Sequence, residues 1–289
     1  MTFPYFIKWA ITDKCNLKCK HCYRNLKSIE NENFDEIDLI ISELKCKKVA
    51  LVSLTGGEPL MSKNCKYIIK SLNSAGIKTE IATNGTLINK KWISFFKENN
   101  VTKIQISLEG FDAESNDYIR GAGTFEKICN AVALCNQNNI ETIIAVTLKH
   151  DNVHDILSFI ELKDKLNFTY LRFELFIPIN TDSYNLSLTD DDLNYLREVF
   201  NNLKKYNFVI YPEFHNAKNC GAGNYSVFIN SDYTLTPCDL LCDINKTKNK
   251  VSENYSISYL WNEDPLFVEW RKCDYSGCKL FKGGENLIC

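Results

Sequence analysis

The chain is 289 residues long, 45% hydrophobic and 24% charged, which is enough apolar material to bury a sizeable core and excludes general disorder. A formal net charge of -2 argues against nucleic acid as a partner, and no apolar run reaches the length of a membrane span. Thirteen cysteines, with no secretory signal in the first eleven residues, point to the reducing cytoplasm, where clustered thiols mean metal or redox chemistry rather than disulfides.

Residues 6–11 read as a first strand, and residues 34–45, with Ile37, Ile40, Ile41 and Leu44 at helical spacing, as the helix after it. Further strands are predicted over 49–54, 77–82, 103–107, 142–147 and 168–173. They alternate with predicted helices over 65–72, 90–98, 124–135 and 154–163. Thr189 reads as the N-cap of a long helix to about Lys204, with Asp190, Asp191 and Asp192 at its positive end. Six βα units in a row imply parallel strands joined by right-handed crossovers. The tally falls short of eight, so an α/β fold with an open, partial (β/α)6 TIM-like barrel is expected, its chemistry at the C-terminal strand ends. The pattern changes after Tyr206. Residues 225–229 and 233–236 read as a hairpin across Asn230, Ser231 and Asp232, and residues 266–272 as one short helix. The expected organisation is a barrel over 1–206 and a small cysteine-rich C-terminal domain over 207–289.

Cys15, Cys19 and Cys22 lie on one loop directly after the first strand. Three thiolates on an iron–sulfur cubane leave one iron with an open position for a small molecule. Zinc would need a fourth ligand, which His21 could supply, but zinc knuckles usually bring paired Cys-x2-Cys elements. The Cys-x3-Cys-x2-Cys spacing, followed by Tyr23, resembles the cluster loop of the radical S-adenosylmethionine (SAM) superfamily. Gly56, Gly57, Glu58 and Pro59 follow the second strand and resemble that family's Gly-Gly-Glu-Pro motif. Glycines permit close backbone approach, and a carboxylate or carbonyl can accept from an ammonium. The resemblance spans roughly residues 5–200. It implies a [4Fe–4S] cluster on Cys15, Cys19 and Cys22 that binds and reductively cleaves SAM. It further implies SAM contacts from Tyr23, Gly56, Gly57, Glu58 and Pro59, and from Thr83 and Asn84 at the third strand end. Ser107 and Glu109 at the fourth strand end, Arg120, and Thr147 at the fifth complete that set. Glu174 is a candidate substrate contact near the sixth strand end.

The C-terminal pattern, Cys220-Gly-Ala-Gly223, then Pro237-Cys238, then Trp261-Asn262 and Cys273-x4-Cys278, resembles a SPASM or Twitch extension. Such extensions bind auxiliary iron–sulfur clusters. A glycine usually lies five residues before the second cysteine, where this chain has Tyr233, and the later Cys-x2-Cys pair is stretched. The resemblance implies one auxiliary [4Fe–4S] cluster on Cys220, Cys238, Cys273 and Cys278, with Cys242 in reserve; zinc on the same four thiols is the alternative. Cys242 and Cys289 are thiol hydrogen donors if they are not ligands. The expected function is a radical SAM enzyme, of oxidoreductase type, in which a 5′-deoxyadenosyl radical takes hydrogen from a ribosomally made peptide. The outcome would be a thioether or carbon–carbon crosslink, or an epimer. Flavodoxin or ferredoxin is the expected electron donor. The chain starts at its first barrel strand, so a separate peptide-recognition protein or direct binding at the barrel mouth is expected. A radical SAM alcohol dehydrogenase and, further off, a non-catalytic iron–sulfur or zinc protein are the alternatives.

Overall fold

The computed structural model describes residues 2–24, 33–179, 181–212 and 221–272. Six strands, β1 (Phe6–Ala10), β2 (Leu51–Thr55), β3 (Lys78–Thr83), β4 (Lys103–Ser107), β5 (Glu141–Leu148) and β6 (Tyr170–Leu175), run parallel in sequence order. Between them come α1 (Phe34–Cys46), α2 (Cys65–Ser74), α3 (Lys90–Glu98), α4 (Ala113–Arg120), α5 (Thr124–Gln137) and α6 (Ile156–Leu166). After β6, α7 (Asp190–Leu203) leads to a two-residue strand, β7 (Val209–Ile210), parallel to β6. Then follow β8 (Ser226–Ile229), β9 (Leu235–Thr236), α8 (Ile257–Glu263) and α9 (Pro265–Lys272). The sheet order is β7-β6-β5-β4-β3-β2-β1-β8-β9, with β7 and β9 as edges, so among the described residues the barrel stays open, as the six βα units imply.

β1, β2, β3, β4 and β6 alternate between buried and more open residues, whereas β5 is buried continuously over residues 142–146. Ile7 and Trp9 on β1, Val52 and Leu54 on β2, Ile104 and Ile106 on β4, and Leu171 and Phe173 on β6 are buried in the core. That core also takes Ile37, Ile40 and Leu44 of α1 and Phe96 of α3. The intervening residues face a cavity instead, and many are polar: Lys8, Ser53, Glu80, Lys103, Gln105, Arg172 and Glu174. Strands covered on both faces normally read as continuous apolar runs. Alternation in a parallel sheet therefore marks an inner face that is a site rather than a second core.

Two helices fall outside the predicted set. α4 is eight residues and largely polar, and it forms because Asp112 and Ser115 close a capping box at its start. α8 is seven residues, capped by Ser256, and its first N–H groups, at Ile257 and Ser258, donate to the Glu43 carboxylate of α1. The hairpin partner β8 pairs antiparallel with β9 on one side and parallel with β1 on the other. The strand after Tyr206 thus joins the barrel's own sheet.

Candidate active site

The cysteine loop leaves β1 and is anchored at its start by backbone hydrogen bonds. Ile11 N–H donates to Thr55 O, Gly57 N–H to Thr12 O at 2.8 Å and Glu58 N–H to Lys14 O at 2.7 Å, so the β1–β2 pairing continues past both strand ends. A Cβ on Gly56 would sit 2.3 Å from Thr12 O and one on Gly57 2.4 Å from Lys14 O. The glycines are needed because the loop packs against them. Beyond this anchor, Cys15, Cys19 and Cys22 are half-buried and line a cavity of about 680 Å³. Leu17 N–H donates to Cys15 Sγ at 3.4 Å, Asn84 Nδ2 lies 3.9 Å from the same sulfur, and Lys20 N–H donates to Ile119 O at the end of α4. Burial pushes the Cys19 thiol up to about 11, against the pull of Arg120. A metal would reverse that by taking the thiolate. Among the described residues no three His, Cys, Asp or Glu side chains converge as ligands of a single metal ion. Ligands of a cubane sit on different irons, farther apart than ligands sharing one zinc.

Glu58 does not line the cavity, nor does Pro59. Its buried carboxylate turns back to accept from Thr83 Oγ1 at 2.7 Å, Asn84 N–H at 2.7 Å and Leu60 N–H at 3.0 Å. It ties the β2 end to the β3 end. Burial pushes its pKa up, and those three donors pull it back.

The fourth and fifth strand ends carry the other half of the site. Glu109, after β4, is 3% exposed and faces an imidazole and two cations: His21 Nε2 at 3.3 Å, Lys149 Nζ at 3.3 Å and Arg120 Nη1 at 3.5 Å. Thr147 N–H and Oγ1 donate to it at 3.4 and 3.5 Å. Burial alone would push the Glu109 carboxyl up, but His21, Lys149 and Arg120 together hold it down at about 2. Arg120 is delivered by α4, whose fully buried Asn116 accepts the Glu109 N–H and donates to Thr124. Asp117 organises the turn behind it, accepting from Gly123 N–H, Phe125 N–H and Thr124 Oγ1. His21 Nδ1 and Arg120 Nε are buried without a hydrogen-bond partner, so the wall presents unspent polar atoms.

Cys15, Cys19, Cys22, Tyr23, Gly56, Gly57, Thr83, Asn84, Ser107, Glu109, Arg120, Thr147 and Glu174 all line this one cavity. Cys220, Cys273, Cys278 and Cys289 lie outside the described residues. Cys238 is half-buried before the turn at Asp239–Leu241, and buried Cys242 packs with Ala10, Phe228 and Tyr23, beneath the cysteine loop. Sequence reading missed Lys149, which is wholly buried, and the partnership of His21 with Glu109. It also missed the cross-cavity pair of Lys8 Nζ with Asp239 Oδ2 at 2.7 Å. Arg24 was missed as well: Asp13 Oδ1 at 2.5 Å takes its Nη2, and its Nε and Nη1 are buried and unpartnered over the Phe228 ring.

A partial α/β barrel with three thiols on the first βα loop, facing a carboxylate-and-cation cluster on the fourth and fifth, defines a cofactor-dependent enzyme of the barrel class. The model of the radical SAM superfamily matches residues 9–162, more than half of the chain, and the protein belongs to that superfamily. Its members bind a [4Fe–4S] cluster and SAM, and the donor set here fits both: soft thiols for iron, and unspent buried donors with a closely packed glycine pair beside them. The chain is 32% identical over 163 residues to an Fe-coproporphyrin III synthase of Methanosarcina barkeri (strain Fusaro / DSM 804), covering 55% of this chain and 41% of that one. It is 25% identical over 295 residues to the antilisterial bacteriocin subtilosin biosynthesis protein AlbA of Bacillus subtilis (strain 168), covering 95% and 66%. It spans about half the length of the curated relatives it matches first. Streptococcus suis SuiB bound to precursor peptide SuiA superposes with a TM-score of 0.78 at 17% identity, over 94% of this chain and 68% of that one, which establishes the shared fold. No helix among the described residues is long and apolar enough to cross a membrane.

Proposed function

We propose that the protein is a cytoplasmic radical SAM peptide maturase, with Cys15, Cys19 and Cys22 as the cluster ligands. When bound and reduced, the cluster and SAM together supply a 5′-deoxyadenosyl radical, which abstracts hydrogen from an unactivated carbon. The chain's own residues do the holding. Gly56 and Gly57 fix the cysteine loop, and Glu58 locks the β2 and β3 ends around it. Ser107, Asn84 and Thr147 offer polar groups to SAM, and Tyr23 closes the side of the site beneath the cysteine loop. At the Glu109 cluster one carboxylate meets Arg120, Lys149 and protonatable His21, so the wall can carry net positive charge and accept the SAM carboxylate. The observation that carries the reading is the meeting of the three thiols and this cluster on one cavity.

The peptide part rests on two supports: SuiB shares the fold and is seen with a precursor peptide, and AlbA, similar along nearly the whole chain, is named for bacteriocin biosynthesis. Thioether or carbon–carbon crosslinking or epimerisation are the reactions in view, with flavodoxin or ferredoxin as donor, and the peptide either presented by a separate recognition protein or bound directly at the barrel mouth. An auxiliary [4Fe–4S] cluster on Cys220, Cys238, Cys273 and Cys278, with Cys242 in reserve, belongs to the same reading, as does a division into 1–206 and 207–289. The test is iron, sulfide and 5′-deoxyadenosine after anaerobic reconstitution and dithionite reduction. The wild type should hold about eight irons and release 5′-deoxyadenosine. The Cys15/Cys19/Cys22→Ala variant should keep about four irons and release none. Release by that variant would sink the assignment.

A further inference from the structure

The barrel's inner face is unusually charged, and its charges can be sorted by partner. Lys8 is paired with Asp239, Lys103 with Glu80 at 3.4 Å, Arg24 with Asp13, and Arg120 and His21 with Glu109. Of the cations lining the cavity, Arg172 alone has no carboxylate within 4 Å among the described residues. Its one hydrogen bond there is to a neutral group: Nη1 donates to Gln105 Oε1 at 2.6 Å. Arg172 is half-buried and level in the sheet with Ala145 and Ser107, five strands along from the β1 end that carries the thiols. Its guanidinium is therefore held by Gln105 and keeps donors directed at whatever fills the cavity.

We propose that Arg172, steadied by Gln105, is the substrate-recognition cation of this enzyme and binds a carboxylate carried by the peptide close to its reacting carbon. This rests on the peptide reading above and adds the chemistry of the peptide. A planar guanidinium matches a carboxylate in a bidentate fork, which fixes orientation as well as charge. A phosphate dianion fits less well. Among the described residues one cation of the cavity is unpaired, and Glu174, two residues on and on the same face, would repel a second negative charge. The carboxylate can come from an acidic side chain or from a chain terminus.

Three probes separate these sources: acetyl-Ala-Glu-Ala-amide, its neutral isostere acetyl-Ala-Gln-Ala-amide, and acetyl-Ala-Gln-Ala with a free C-terminus. Binding to the reconstituted full-length protein in the presence of SAM is measured by calorimetry, independently of turnover. One of the two carboxylate probes should bind about tenfold more tightly than the neutral one, and which one does so names the source. Arg172→Gln should erase the difference, while Arg172→Lys should keep part of it. Both variants should retain iron and the thermal melt of the wild type, which checks that the barrel is intact. Equal binding of all three probes to the wild type, or discrimination that survives Arg172→Gln, would overturn the proposal. A wild type that discriminates yet releases no 5′-deoxyadenosine would instead overturn the radical SAM assignment and leave the anion site standing.

Discussion

Glu109 keeps its charge in a place where burial alone would neutralise it, and Lys149 is the partner with least freedom to leave. Lys149 is wholly buried, donates to Thr147 O at 3.1 Å, and is fixed through its own N–H to Asn152 Oδ1. Removing one partner of a buried charge pair leaves the other uncompensated, whereas removing both is far cheaper. Lys149→Met should therefore destabilise the protein by about 3 kcal/mol, the low end of the usual range because His21 and Arg120 remain. Adding Glu109→Gln should give a loss that differs from the sum of the two single losses, since Arg120 and His21 share the same carboxylate, and urea unfolding of the two single variants and the double variant measures the coupling. Additive losses would show that the two residues do not share one network. The same residues show what a sequence can and cannot reveal. Cys15, Cys19, Cys22, Gly56 and Gly57 are legible because their chemistry is local and their spacing is the signal. Lys149 is not, since a lysine two residues past a strand reads as surface until the β4–β5 register brings it beside Glu109. Arg172 could have been found. It alternates with buried Leu171 and Phe173 on a parallel strand, and a charge on the inner face of such a strand has nowhere to go but the cavity.

At the scale of elements, two turns carry charges and strain that boundaries alone do not show. Tyr233, in the β8–β9 turn, has φ +66°, in the left-handed region that favours glycine. An L-residue there costs about 1–2 kcal/mol. The ring offsets this: it is 3% exposed, sits in the core, and its hydroxyl donates to Asn33 O. Losing a buried aromatic costs about 3–5 kcal/mol, so Tyr233→Gly should be destabilising by about 2 kcal/mol despite the relaxed backbone, as read from thermal melts. The departure from glycine was visible in the sequence, but its compensation was not, because the ring's partner lies 200 residues away. The second turn follows β5 and meets the start of α7. Asp192 accepts the Thr189 N–H at 2.8 Å in a capping box and takes His150 Nδ1 at 2.7 Å. The hydrogen bond and charge of Asp192 raise the His150 pKa above its ordinary 6.5. Because the folded value is the higher one, this contact stabilises fully below the unfolded pKa and is lost as pH rises through the folded one. A proton NMR titration should place His150 above its ordinary value, and Asp192→Asn should lower it.

For the molecule as a whole, the decisive feature is that β8 lies against β1. Phe6, Ile7, Lys8 and Trp9 are matched with Ser226, Val227, Phe228 and Ile229, so the strand that launches the cysteine loop has β2 on one side and β8 on the other. Val227, Ile229, Leu235, Val251, Leu260, Trp261 and Phe267 belong to the same buried cluster as the barrel's Ile7, Ile40 and Val52. A change in composition after Tyr206 is real at the level of sequence, because helices give way to turns. It says nothing of pairing across more than 200 residues, which no periodicity encodes. Cutting the chain after residue 206 would strip β1 of one neighbour, leave a row of unpaired N–H and C=O groups beside the site, and expose the apolar side chains that α8 covers. The intact protein should therefore unfold in one cooperative transition, with calorimetric and van't Hoff enthalpies in agreement. The 1–206 fragment should aggregate or stay molten, with near-ultraviolet dichroism lost and iron no longer retained after reconstitution. A fragment that melts cooperatively and still holds four irons would mean that β1 needs only β2, and that the contacts of β8 add area without adding order. The expectation goes the other way because an edge strand carrying the cluster loop would fray at the residues that must stay fixed: Thr12 and Lys14 accept the backbone bonds that pin the loop to Gly57 and Glu58.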